Sequence, residues 1–105
     1  MDRRELDKEI IYFINKCNEY GKPILEYCLN EAYPGASNTS YFFDIKATWV
    51  KDDECFEAIS FFTDVMFEAM SLEARQRIFS IRVFSSEDQL HCDSGEIKLG
   101  TSRAS

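Results

Sequence analysis

Basic residues are scarce in this chain, and histidine more so. Twelve Lys and Arg stand against nineteen Asp and Glu, for a net charge of −7. Nucleic acid and anionic lipid are held by Lys and Arg. The deficit therefore points away from both and toward a basic protein partner. The one histidine, His91, is followed at once by Cys92. On a strand, consecutive side chains point to opposite faces, so the two cannot form a Cys/His couple there. The four glycines, at positions 21, 35, 95 and 100, are scattered and build no phosphate-binding loop. Zinc spacing and E-x-x-H are missing, and Asp52-Asp53-Glu54 does not follow the calcium-loop pattern. No metal and no cofactor are expected.

Long apolar runs are also missing. Ile10 to Ile14 and Val65 to Phe67 fall far short of the roughly 18 residues that a membrane span requires. The opening Met1-Asp2-Arg3-Arg4-Glu5 mixes both charges where a secretion signal would be apolar. A soluble, cytoplasmic protein is the expectation. Cys17, Cys28, Cys55 and Cys92 contain no C-x-x-C pair, and without a secretion signal they read as reduced thiols, although an even number permits two disulfides.

What is present suits one domain. At 45% hydrophobic and 30% charged over 105 residues, the chain is apolar enough to fold alone around a single core. Leu6, Ile10, Phe13, Ile14 and Cys17 recur at helical spacing, with Asp2 and Glu5 as a capping pair and Gly21 as a stop. Pro23 and the apolar Ile24, Leu25, Tyr27, Cys28 and Ala32 suggest a second helix, ended by Pro34-Gly35 and completing a hairpin. Tyr41, Phe43, Ile45, Ala47 and Trp49 alternate as a half-buried strand. Cys55, Ile59, Phe62, Met66 and Ala69 form the stripe of a long helix over about 53–70, with Ser71-Leu72 as its end or a short continuation.

Residues 78–84 read as a strand with Phe79, Ile81 and Val83 on one face. Leu90, Cys92, Ile97 and Leu99, around the Asp93-Ser94-Gly95 turn, complete a three-stranded meander. The expected class is α+β, in the order ααβαβββ, with helices on an antiparallel or mixed sheet. The domain covers 1–99, and 100–105 form a frayed tail.

The helix after Asp52 carries the most information about function. At 100° per residue, Asp53, Glu57, Ser60, Asp64 and Glu68 fall within about 80° of one another, opposite Phe62 and Met66. Like charges four apart oppose the helix by roughly 0.2–0.5 kcal/mol each, so stability does not ask for this stripe. Between Lys51 and Glu73 there are seven acids and one base, leaving −6 of the net −7 in this segment. Phe56 and Phe67 border the stripe on one side and Phe61 on the other, a combination suited to docking. The plain alternative is a solvated face whose phenylalanines are covered by neighbouring helices. Glu87, Asp88, Asp93 and Glu96 form a second acidic group in the expected turns, where Asp is favoured for local reasons.

A short acidic α+β chain with an acid-lined, aromatic-edged helix from Asp53 to Glu68 resembles the bacterial toxin immunity proteins of contact-dependent growth inhibition systems. The likeness is one of size, charge and that helix. It implies a stoichiometric inhibitor that occludes the active site of a basic toxin, often a nuclease, with Asp53, Glu57, Asp64 and Glu68 facing its cations and Phe56, Phe61 or Phe67 packing at the edge. From a different class comes a self-associating adaptor or chaperone whose aromatic helix and strand edge make a homodimer. A hydrolase using paired carboxylates comes last, because no spacing marks two of them as lining a pocket.

Overall fold

In the computed structural model, residues 2–33, 40–51, 55–92, 95 and 97–100 are described. Helix α1 runs Arg3–Glu19 and opens on a complete capping box between Asp2 and Glu5. It closes with Gly21 in the left-handed region at φ 76°. There the Gly21 N–H donates to Asn18 and the Lys22 N–H to Cys17, the paired bonds of a Schellman stop. Its buried stripe is Leu6, Ile10, Phe13, Ile14 and Cys17, as the spacing predicts.

The next element differs from the expectation: Glu26–Glu31 is strand β1 rather than a second helix. Four successive residues, Tyr27 to Asn30, are buried because the strand is covered on both faces, which erases the alternation that marks a strand. Strand β2 spans Tyr41–Lys46, helix α2 Cys55–Ala69, helix α3 Leu72–Gln76, strand β3 Ile78–Phe84 and strand β4 Lys98–Leu99. The α+β class stands, with the order αββααββ.

The sheet is mixed, in the order β3-β2-β1-β4. Strands β1 and β2 are antiparallel, β2 and β3 are parallel across the α2–α3 crossover, and β4 pairs with β1 through Glu26 and Tyr27 alone. The expected C-terminal meander does not form, since β4 lies at the sheet edge opposite β3. Residues 90–92 are not a strand. A bulge between Tyr41 and Phe42 in the β2–β3 register shifts the alternation, so Ile78, Ile81 and Val83 face the helices while Phe79 is turned out, 53% exposed.

Helices and sheet enclose one core, in which Phe13 lies between Phe43 and Phe62 at ring-centroid distances of 5.4 and 6.1 Å. The outer face of the sheet has its own polar centre. Asp44, 1% exposed, accepts from Arg82 Nε at 2.6 Å, Arg82 Nη2 at 2.8 Å and Asn30 Nδ2 at 2.6 Å. A buried carboxylate needs such partners.

Cys28 and Cys92 form a disulfide across a sequence separation of 64, with Cα atoms 5.8 Å apart. This corrects the expectation of reduced thiols at those two positions; Cys17 and Cys55 are free. Gly100 closes the described chain. Its N–H donates to the Leu25 carbonyl, and a Cβ placed on it would overlap the Ile24 backbone.

Candidate functional site

Helix α2 buries Ala58, Phe62, Val65 and Met66, packs Cys55, Phe61 and Ala69 partly against the core, and exposes Phe56, Glu57, Ser60, Asp64, Phe67 and Glu68. Phe56 and Phe67, three turns apart along the helix, are 79% and 60% exposed. A phenylalanine removed from water contributes roughly 1.5–3 kcal/mol, so leaving two on one helix face forgoes a substantial gain. Glu57, Ser60 and Asp64 are exposed beside them. Neither Glu57 nor Asp64 makes an ion pair among the described residues.

The other residues expected at this site stand differently. The Glu68 carboxylate accepts from Tyr20 Oη at 2.7 and 2.9 Å and lies 3.7 Å from Lys16 Nζ, so α1 holds it. Phe61 is half-buried edge-on to Trp49 and Tyr20, with Phe62 beside it, as part of the packing. Asp53 lies outside the described residues, as do Asp93 and Glu96. Asp88 accepts from the Ser85 N–H and Oγ, both at 3.2 Å, and so closes its own turn. Glu87 is exposed beside it. That turn follows β3, whose last residue Phe84 pairs with Lys46 at the end of β2.

Two features escape sequence spacing. A cleft of about 300 Å³ lies beside Glu57, lined by Lys22, Trp49, Val50, Lys51, Ala58 and Phe61. Lys22 Nζ sits 4.8 Å from the Trp49 ring centroid and 5.8 Å from that of Phe61, and Trp49 Nε1 donates to the Pro23 carbonyl at 2.8 Å. The second is Arg75 of α3, whose guanidinium covers one face of Phe67 at 4.3 Å. A cation over an exposed ring is a modest attraction of roughly 0.5–1 kcal/mol and leaves the ring's edge open.

The titratable groups behave as their surroundings dictate. Burial pushes the Cys17 thiol up to about 12, which keeps it protonated and unreactive at neutral pH. The Tyr20 phenol is raised above its ordinary value, first by its hydrogen bond to Glu68, then by desolvation and the nearby acids. A raised phenol favours the fold up to its ordinary value, and the contribution is lost as pH climbs through the folded value. In Glu68→Ala, the Tyr20 ring resonances should titrate at lower pH than in the parent, followed by NMR. An unchanged midpoint would mean that the bond does not form in solution.

No helix is long and apolar enough to cross a membrane, and no group of three or more His, Cys, Asp or Glu able to hold a metal ion occurs, both among the described residues. No family model, curated protein or solved structure matches the chain.

Proposed function

We propose that this chain is a non-catalytic binding protein that docks a basic protein partner on the outer face of α2, in the manner of an immunity protein occluding a toxin. The observation that carries the reading is the juxtaposition of strongly exposed Phe56 and Phe67 with the exposed carboxylates of Glu57 and Asp64, which make no ion pair among the described residues. Aromatic anchors supply affinity, and charge complementary to a basic partner supplies encounter rate and selectivity. A nuclease cleft fits because it is positive in order to hold phosphate, and carboxylates can stand in for that phosphate. Glu68 contributes charge from a fixed position. The same charge argues against nucleic acid and anionic membrane as ligands.

Immunity proteins of this kind act in the cytoplasm. The Cys28–Cys92 bond weighs toward a more oxidising compartment, because cytosolic reductants keep such thiols apart.

Co-expression with a candidate basic toxin domain should restore growth to cells that the toxin arrests. Glu57→Lys and Asp64→Lys should each slow association about tenfold or more at low salt, with the difference shrinking as ionic strength rises. Stopped-flow mixing of the purified pair reads this directly. Rescue that survives both reversals combined with Phe56→Ala would place the contact elsewhere, and failure of rescue by the parent chain would remove the inhibitor reading.

A further inference from the structure

Trp49 and Phe61 meet at 90° with ring centroids 5.8 Å apart, and both line the cleft that Glu57 also lines. Each ring is held in place. Trp49 packs on Phe62 at 5.3 Å and donates its Nε1–H to the Pro23 carbonyl, while Phe61 packs edge-on to Tyr20 at 6.1 Å. The two rings therefore make a corner whose shape does not depend on a ligand.

A cation already fills that corner. Lys22 Nζ lies over both rings, 4.8 Å from the Trp49 centroid and 5.8 Å from that of Phe61. Ring faces carry the negative part of the aromatic quadrupole, so the corner attracts cations and disfavours carboxylates and phosphates. Glu57 adds an exposed carboxylate to the wall. Lys51 lines the cleft as well and has contacts of its own. Lys22 itself is exposed and pairs with no carboxylate among the described residues. Its hold on the rings is the modest attraction of a solvated ammonium. A guanidinium would bind there better, because it is planar, more weakly hydrated than an ammonium, and able to meet a carboxylate through two N–H groups. The cleft, at about 300 Å³, has room for such a side chain.

We infer that the Trp49–Phe61 corner, with Glu57 on its wall, is the subsite for an arginine side chain of the basic partner, and that Lys22 fills it in the free chain and yields to that arginine. The owner of the arginine rests on the reading of α2 as the docking face. The preference of the corner for a guanidinium does not.

Trp49 is the only tryptophan of the chain, so its fluorescence reads the corner without a label. N-acetyl-argininamide titrated into Lys22→Ala should give a saturable change, and the parent should bind this probe about two- to fivefold more weakly, because Lys22 competes for the rings. Lys8→Ala removes the same charge from an exposed position on α1 and should bind the probe as the parent does. Adding Glu57→Gln to Lys22→Ala should weaken binding about twofold or more. The neutral citrulline analogue and the anionic glutamate analogue should give no saturable change. The subsite is refuted by a saturable response to either analogue, by no saturable response to the arginine probe in Lys22→Ala, by equal affinity in Lys22→Ala and the parent, or by indifference to Glu57→Gln. None of these measurements uses the partner. Probe binding as described with failed toxin rescue would leave the corner standing and remove the inhibitor, while rescue without probe binding would do the reverse.

Discussion

Arg82→Ala should destabilise the fold by about 3 kcal/mol, the low end of the roughly 3–5 kcal/mol seen when a buried ion pair loses one member. Asp44 is then left 1% exposed with the Asn30 amide as its remaining side-chain partner. The low end applies because the Arg82 side chain is 46% exposed, and water entering its vacated place would rehydrate the carboxylate in part. Asp44→Ala should cost less, since the Arg82 head can move into solvent while only the Asn30 amide loses a buried acceptor. Arg82→Lys should not restore stability, because a lysine cannot span both carboxylate oxygens in one plane. Urea titration of the three variants checks the order. Arg82→Ala within 1 kcal/mol of the parent would mean that the pair is hydrated in solution.

Phe13→Ala should be at least as severe, at about 3–5 kcal/mol, because the ring touches both Phe43 of the sheet and Phe62 of α2 and a rigid two-layer core cannot close over the void. Thermal midpoints should fall by roughly 4–8 °C per kcal/mol. Phe56→Ala is the matched control. It removes a ring that is 79% exposed and should leave stability within about 0.5 kcal/mol, so any loss of partner binding would reflect contact rather than folding. If Phe56→Ala proved as damaging as Phe13→Ala, the exposed ring would have a structural role and the docking face would lose its anchor.

Elements that bury a single face are the ones the sequence makes legible. Helix α1 and the α2 stripe through Phe62 and Met66 each have one wet side, so period alone locates them; in β2 the buried Asp44 is polar and keeps the alternation of Phe43 and Ile45 readable. Glu26–Glu31 has none: Tyr27 and Leu29 face the helices while Cys28 and Asn30 are covered by Cys92 and His91 on the other side, and a short segment buried on both sides has no period to read. Asp44 falls on the polar side of its strand by alternation, yet its partner Arg82 comes from a strand beyond two intervening helices. The disulfide is invisible for a related reason, since four cysteines without close spacing carry no pairing information. Without it the C-terminal residues look like a local meander rather than a crossing.

At the candidate site, the exposed Phe56, Glu57, Asp64 and Phe67 follow from helix geometry. The binding of Glu68 to α1 and the cleft between Lys22 and Trp49 depend on tertiary approach, which spacing does not encode.

The glycine at the end of the described chain sets the alignment of the final strand. Strand β4 contributes only Lys98 and Leu99, and so short a pairing could slide along β1 at little cost in hydrogen bonds. Sliding by one position would bring Leu99 or Thr101 to the spot where Gly100 meets the Ile24 backbone, and each carries the Cβ for which that spot has no room. A two-residue strand thus has one permitted alignment, enforced by a missing atom.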